Sequence, residues 1–431
     1  MLYRKIHSVS KLLYAISLLA LSALSDGCTG RNERKSDIPT ISVEAGSFIS
    51  NSGNITVVTE KKVASVQTNQ DEAWLSYKIN VPVSGRYSLR LYGRNTADKE
   101  AICWVEDYID NKDGRTYNIS GNLEVGEKDQ DSRSFVQKDG MPLAASAHYL
   151  KLHVEKGTVI INKLTLTLIK EHKASPLVIY SKTEGKEWQL IWSDEFDGQG
   201  LPDSTKWNFD IGDWGWGNNE LQYYTVKRVE NARQENGYLI IEARKDDHGF
   251  PWSSARLTTR GKESFLYGKI EFRAKVPAGI GSWSAGWLLG DQYVDEFSWP
   301  YCGEIDVLEN VGYEIDGNTG NGKTHASVHC GAYYFKLKNQ PTAIAEVENL
   351  NNAFHNYTLE WMPKGMTISI DEKKYFEYHD TSGKLSWPFD KPQNLILNLA
   401  IGGGWGGARG IDSTLTSQKM VVDYVRVFEL K

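Results

Sequence analysis

Short runs of alternating apolar and polar residues, separated by turn-forming residues, recur along most of the chain. Between Ile38 and Lys170 they include "WLSYKINVPVSGRYSLRLYGRN" and "HYLKLHVEKGTVIINKLTLTLI", in which "VSG" and "EKG" are typical hairpin turns. Beyond Val178 the pattern continues in "GYLIIEARK", "YGKIEFRAKVP" and "VVDYVRVFEL". Because hardly any stretch has helical periodicity, the sequence predicts an all-β protein.

The alternating segments fall into two groups. Residues 38–170 predict a smaller antiparallel β-sandwich, and residues 178–431 predict a larger one. The polar segment 171–177, which contains "EHKASP", is the predicted linker. A chain of 431 residues with 40% hydrophobic content is long enough to build two cores.

The net charge and the N-terminal segment limit the partners and the cellular location that can be expected. A net charge of -6 without a long basic run argues against nucleic acid but leaves an uncharged polymer open. Basic residues precede the apolar run "LLYAISLLALSAL", so residues 1–28 are predicted to be an export signal. Cys28 in "SDGCTG" resembles the lipid-modified Cys of a bacterial lipoprotein, with a plain cleaved signal as the alternative. We therefore expect an exported, monomeric protein of the periplasm or outer membrane, with a lipid anchor if Cys28 is modified.

Three further cysteines, Cys103, Cys302 and Cys330, allow at most one intrachain disulfide. Cys302 and Cys330 could be neighbours, because both lie near an acidic cluster in the sequence. Three buried free thiols are the other interpretation.

That acidic cluster is "EIDVLE", in which Glu304, Asp306 and Glu309 stand among strand-forming residues. Strict alternation sends Glu309 to the face opposite Glu304 and Asp306. A β-bulge around Val307 and Leu308 would bring all three carboxylates to one face. The two glutamate carboxyl groups could then approach to about 5 Å, the separation of a retaining glycosidase.

Three carboxylates so close cannot all ionise cheaply, so at least one pKa rises and that group can donate a proton near neutral pH. We expect Asp306 to tune this pair and to hydrogen-bond Glu304. An acidic outer face or a Ca²⁺ site is the alternative interpretation. The nearby "HASVH" does not predict a metal site, because His325 and His329 would lie about 13 Å apart on a strand. His329 is expected either beside the cleft or as a sheet histidine.

Tryptophans are dense in the Gly-rich loops, which suits the apolar faces of sugar rings. The segments "GEIDVLENVG", "WGWGNNELQYYT", "YGKIEFRAKVPAGIGSWSAGWLLG" and "LILNLAIGGGWGG" resemble the laminarinase-like branch of glycoside hydrolase family 16 over Trp188 to Lys431. This resemblance implies a catalytic β-jelly roll and a retaining endo-β-1,3-glucanase that needs no cofactor for catalysis. The implied partner is a β-glucan polysaccharide such as laminarin.

The resemblance also implies roles for individual residues. Glu304 matches the nucleophile, Asp306 the assisting acid and Glu309 the general acid/base. The implied substrate contacts are Asn218, Arg256, Trp283, Trp287 and His329. A structural Ca²⁺ with Glu195, Gly237 and Asp423 as ligands is implied as well, and hard oxygen ligands suit that ion. The chain departs from the family at Ser284, where Pro is common, and in the inserted "DQYVDEFSWPYC"; both are expected at the cleft rim.

Residues 38–170 resemble, more weakly, carbohydrate-binding modules of family 6, with Trp74, Trp104 and Tyr108 as candidate platform residues. A sandwich that acts only as a spacer is the alternative for this region. For the whole chain, the alternatives are a mixed-linkage β-1,3-1,4-glucanase or a galactanase of the same fold. From a different class, a non-catalytic glycan-binding surface lipoprotein remains open.

Overall fold

The predicted alternating segments fold as strands. A computed structural model describes residues 38–60, 63–68, 71–96, 100–108, 117–126 and 134–431. The predicted signal segment, including Cys28, lies outside these residues. In the described part no helix is long and apolar enough to cross a membrane. The fold is all-β, as predicted, and residues 38–431 form one compact unit.

The first twelve strands make a smaller sandwich, called here the N-terminal sandwich. One sheet has the order β10-β6-β12-β4-β3, with β1 on β12; the other has the order β2-β5-β11-β7-β8, with β9 on β7. Their bounds are β1 Thr40–Glu44, β2 Ser50–Ser52, β3 Ile55–Glu60, β4 Val63–Thr68, β5 Ala73–Asn80, β6 Gly85–Asn95, β7 Ala101–Tyr108, β8 Tyr117–Asn118, β9 Leu123–Val125, β10 Phe135–Leu143, β11 Ala147–Lys156 and β12 Val159–Glu171. A 3₁₀ helix, Ala45–Ser47, follows β1.

The remaining strands make the larger C-terminal sandwich, a β-jelly roll. Its cleft-forming sheet has the order β13-β21-β30-β23-β24-β25-β26, with β20 on β30 and β15 on β20. These strands are β13 Leu177–Tyr180, β15 Asn208–Phe209, β20 Arg256–Thr258, β21 Glu263–Leu266, β23 Ser282–Gly290, β24 Glu304–Val311, β25 Gly322–His329, β26 Thr342–Val347 and β30 Gln393–Ile401. The segment 171–177, predicted as the linker, runs from the end of β12 to the start of β13.

The second sheet of this sandwich has the order β16-β19-β18-β31-β22-β27-β28-β29, with β14 on β31 and β17 on β18. These strands are β14 Trp188–Asp194, β16 Tyr223–Tyr224, β17 Ala232–Glu235, β18 Tyr238–Asp247, β19 Phe250–Ser254, β22 Gly268–Lys275, β27 His355–Met362, β28 Gly365–Ile370, β29 Lys373–Tyr378 and β31 Ser417–Leu430. Further 3₁₀ helices are Gly215–Gly217, Gly312–Glu314 and Phe335–Leu337.

Burial follows the sequence pattern strand by strand. Alternate residues of β22 are buried, because one face packs on the core and the other faces outward. All nine residues of β30 are buried, because this strand lies in the middle of the cleft-forming sheet. Cys103, Cys302 and Cys330 are buried free thiols, so the disulfide alternative is wrong.

Candidate active site

The acidic strand β24 carries the predicted bulge. Against β23, Gly286 lies opposite Leu308 and the next residue, Trp287, lies opposite Asp306, so Val307 is the extra residue. Against β25, the three steps from Asp306 to Glu309 face only two steps, from Ser327 to His325, on the partner strand. The bulge resets the alternation, and all three carboxylates line the same cleft. The prediction of a bulge at Val307 and Leu308 is confirmed.

Each glutamate of this trio accepts a hydrogen bond from a tryptophan ring. Trp299 Nε1 donates to Glu304 Oε2 at 2.9 Å, and Trp283 Nε1 donates to Glu309 Oε1 at 3.0 Å. These indole N–H groups fix the orientation of both carboxylates at the two ends of the trio. They also favour the charged form of each, because an N–H bond stabilises a carboxylate.

Asp306, between the two glutamates, is placed differently. Its Oδ2 atom is buried without a hydrogen-bond partner, and the near nitrogen is His329 Nε2 at 3.4 Å. The same nitrogen lies 3.8 Å from Glu304 Oε1, and β25 pairs His329 directly with Glu304. We predicted a hydrogen bond from Asp306 to Glu304; at Oδ2 the structure instead shows the contact with His329.

Burial raises the pKa of all three carboxyl groups, and the charge of Asp306 adds to the rise at both glutamates. For Glu304, burial is the main cause and the charge of Asp306 adds to it, which raises the pKa to about 8 despite His329 and the Trp299 N–H. For Glu309, burial is again the larger cause of the raised pKa, and the charge of Asp306 is the next. Burial raises the pKa of Asp306. The predicted upward shift is therefore present, and these buried groups keep protons at a pH where a solvent-exposed carboxyl group would lose them.

Four of the five predicted substrate contacts line the cleft with the trio: Asn218, Arg256, Trp283 and Trp287. Trp287 Nε1 donates to Asn398 Oδ1 at 2.7 Å, so the ring is held in place. The guanidinium of Arg256 lies 4.7 Å from the centre of the Trp287 ring and donates to Asp210 at 3.0 Å. The fifth predicted contact, His329, lies beside Glu304 and Asp306.

The structure adds cleft residues that the sequence reasoning missed. Trp299, Tyr293 and Glu296 all come from the inserted segment, which was expected at the rim but without named residues. Glu220 also lines the cleft, and burial raises its pKa to about 7 although Gln222 and Asn218 hydrogen-bond its carboxylate. The signal was available, because Glu220 is the last residue of "GNNE" and Trp299 precedes Glu304 by five positions.

The two histidines of "HASVH" have separate partners. His325 Nε2 lies 2.6 Å from Glu314 Oε2, and its ring meets the edge of Trp405. His329 instead lies beside two members of the carboxylate trio: one oxygen each of Glu304 and Asp306 and one nitrogen of His329 lie within 4.8 Å of one another. The two rings therefore do not converge on a common partner.

The residues that the resemblance assigns to calcium lie on the second sheet and its loops. The Glu195 carboxylate accepts two hydrogen bonds from Arg426, at 2.7 and 3.0 Å. The Asp423 carboxylate accepts a hydrogen bond from Arg273. Both carboxylates therefore carry guanidinium partners. An ion there would need the backbone carbonyl oxygens, such as that of Gly237, or would have to displace an arginine.

The candidate platform residues of the N-terminal sandwich gather on one sheet face. The Trp104 ring stacks on His153 at 3.9 Å, and β11 places His153 opposite both Trp104 and Trp74. The Lys151 ammonium lies 3.6 Å from the Tyr108 ring centre and 5.1 Å from that of Trp74. All three aromatic rings remain partly exposed.

Comparison with known proteins agrees with this geometry. The model of "Glycosyl hydrolases family 16" matches residues 219–426. A β-glucanase of Rhodothermus marinus is 45% identical over 249 residues, which cover 56% of this chain and 85% of that protein. The crystal structure of the laminarinase from Rhodothermus marinus covers 56% of this chain and 98% of its own, at 44% identity and a TM-score of 0.53. The crystal structure of SCLam, a non-specific endo-β-1,3(4)-glucanase, covers 59% of this chain and 98% of its own chain, at 37% identity and a TM-score of 0.52.

An all-β sandwich with paired carboxylates in an aromatic cleft is a glycoside hydrolase architecture. The chain belongs to glycosyl hydrolases family 16.

Proposed function

We propose that this protein is an endo-acting retaining glycoside hydrolase that cleaves β-1,3-glucan of the laminarin kind. The observation that carries the proposal is the bulge at Val307, because it places Glu304 and Glu309 in one cleft with separate indole donors. The laminarinase and β-glucanase relatives support glucan as the substrate class.

In the proposed reaction Glu304 attacks the anomeric carbon while Glu309 protonates the leaving oxygen. Glu309 then removes a proton from water, which attacks the glycosyl-enzyme and releases the sugar with retention. Asp306 is the group that we expect to stay protonated, because its Oδ2 lacks the hydrogen bond that Glu304 and Glu309 each receive. A neutral Asp306 removes one repulsive charge and lets Glu304 ionise.

Mixed-linkage β-1,3-1,4-glucan is the second candidate substrate, favoured by the similarity to a non-specific endo-β-1,3(4)-glucanase. The test is to incubate the purified protein, without residues up to Cys28, with laminarin, mixed-linkage glucan and agarose. We expect short oligosaccharides from laminarin, and none from the Glu304→Gln variant. Cleavage of agarose would instead indicate a galactanase, and binding without any cleavage would indicate a glycan-binding protein.

We also propose that the N-terminal sandwich binds glycan through the face that carries Trp74, Trp104 and Tyr108. Partly exposed rings on a sheet face offer the apolar platform that sugar rings stack on. The test is affinity electrophoresis in a gel that contains laminarin. The tested protein carries the Glu304→Gln substitution, so that it does not cleave the laminarin in the gel. Trp74→Ala should weaken retention, and unchanged retention would favour the spacer interpretation.

For the location we keep the prediction from the sequence, an exported protein of the periplasm or outer membrane. Mass spectrometry of the mature N-terminus would test it, because lipidation leaves an acylated Cys28 as the first residue.

A further inference from the structure

The N-terminal sandwich reaches the wall of the cleft through Arg86 on β6. Arg86 is buried, and its guanidinium carbon lies 5.4 Å from the ring centre of Trp216 and 5.7 Å from that of Trp214. It also lies 5.6 Å from the ring centre of Tyr293. All three aromatic residues line the cleft in the C-terminal sandwich. A single cation of one sandwich therefore contacts three cleft residues of the other.

The Trp216 ring contacts two guanidinium groups, and its backbone has an unusual conformation. Its φ is +53°, a region that residues other than glycine adopt at a cost. Arg256, itself a cleft residue, lies 4.8 Å from the centre of the same ring. Because the backbone at Trp216 is strained, the contacts to its ring must hold it in place. Arg86 and Arg256 supply two of these contacts, beside the rings of Trp214 and Tyr224 and the hydrogen bond from Trp216 Nε1 to the Gly212 carbonyl.

The strand β10 anchors the same loop by its backbone. Asp139 N–H donates to Asp213 Oδ1 at 2.9 Å, and Asp213 N–H donates back to the Asp139 carbonyl at 3.0 Å. Lys138 Nζ contacts the other Asp213 oxygen at 3.1 Å. Gly140 has a φ of +91°, and a Cβ there would lie 2.2 Å from the carbonyl oxygen of Ile211. This close contact fixes the position of the segment that leads into Trp214 and Trp216.

The two sandwiches also share a buried core at this place. The core cluster of the N-terminal sandwich continues through Leu289, Tyr293, Trp299 and Ile396 of the C-terminal sandwich. Trp299 is the residue that donates to the Glu304 carboxylate. Contacts of the N-terminal sandwich thus reach a direct partner of the proposed nucleophile.

From these contacts we infer that Arg86 is a positioning residue for substrate binding, so that the N-terminal sandwich forms part of the cleft rather than only an appended module. On this inference Arg86 sets the orientation of Trp216 in the cleft wall, and through it the shape of the surface that the bound glucan contacts. The inference rests on the proposed function for its substrate. It concerns binding rather than the chemical step, because Arg86 does not contact the carboxylate trio.

The experiment compares three variants of the full chain: Arg86→Gln, Arg86→Lys and the matched control Arg90→Gln. Arg90 lies on the same strand and is exposed, with Gln137 and Phe135 of its own sandwich as partners. On laminarin we expect Arg86→Gln to raise KM about tenfold, with kcat within about twofold of the wild-type value. Arg86→Lys should recover part of the loss, and Arg90→Gln should not change KM.

A second readout does not depend on catalysis. The near-ultraviolet circular dichroism of the tryptophans should change in Arg86→Gln and not in Arg90→Gln, because only the former removes a contact of Trp214 and Trp216. If Arg86→Gln does not fold, Lys138→Met tests the same interface and should raise KM about threefold. An unchanged KM and spectrum, or a fall in kcat without a change in KM, would overturn the inference. A wild-type protein inactive on laminarin would contradict the proposed function, while the spectra would still test Arg86.

Discussion

At the scale of the residue, three neighbouring carboxyl groups differ by the partner that each one has. Glu304 and Glu309 each accept an indole N–H, whereas Asp306 Oδ2 accepts no hydrogen bond. A buried carboxylate without a donor is costly to ionise. We therefore expect Asp306 to ionise less readily than either glutamate.

The first prediction concerns Asp306→Asn. Toward alkaline pH, where Asp306 ionises, its charge raises the pKa of both glutamates, so its removal should lower both values. Glu309 would then lose its proton at a lower pH, and the alkaline limb of the kcat/KM profile should move to lower pH. The activity should also fall by about 10²-fold, because an assisting acid of this kind supplies a factor of that order. A profile of kcat/KM from pH 4 to 10 measures both effects, and an unmoved alkaline limb would contradict the assignment.

The second prediction concerns stability. A carboxyl group whose pKa is higher in the folded state binds more protons there than when unfolded, so the free energy of unfolding falls as the pH rises from its unfolded pKa to its folded pKa. For Glu304 this interval runs from 4.5 to about 8. Glu304→Gln removes the penalty, so it should raise Tm more at pH 8 than at pH 5. Calorimetry at both pH values provides the check, with the exposed Glu377→Gln as the control; an equal shift at both pH values would show that Glu304 titrates normally.

At the scale of the element, β24 shows what the sequence could predict about the site. The placement of Glu309 one residue out of phase with Glu304 and Asp306 was enough to predict the bulge at Val307. The contact of His329 with Asp306 could not be predicted in the same way, because it depends on the pairing of β24 with β25. Trp299 was missed for a related reason: it lies in an insertion whose path no alternation pattern fixes.

The third prediction belongs to the second sheet, where the proposed calcium site meets two ion pairs. Arg426 holds Glu195 and Arg273 holds Asp423. If an ion binds there as the resemblance implies, chelation should lower Tm and added Ca²⁺ should restore it, because a ligand that binds only the folded state stabilises it. Differential scanning fluorimetry with EDTA and then Ca²⁺ makes the measurement. The same Tm in EDTA and in Ca²⁺ would mean that Arg426 and Arg273 have taken the place of the ion.

At the scale of the whole molecule, the sequence predicted two groups of strands, and the sheets separate at the same place, between Glu171 and Leu177. The contacts between the two groups of strands could not be predicted from the sequence. Nothing in "GRYSLRL" marks Arg86 as a partner of Trp216, because a residue pair 130 positions apart is set by how two sandwiches pack. Local patterns determine strands and turns, whereas the packing of one sheet pair on another depends on side chains distant in the sequence.

The central claim is a retaining displacement by Glu304 and Glu309, and the anomeric form of the first product tests it most directly. Time-resolved proton NMR of laminarin hydrolysis records that form before mutarotation. A retaining enzyme releases the β-anomer first, with the α-anomer appearing only as the product equilibrates. We predict the β-anomer first and no product with Glu304→Gln. An initial α-anomer would show inversion and would contradict the assignment of Glu304 as the nucleophile.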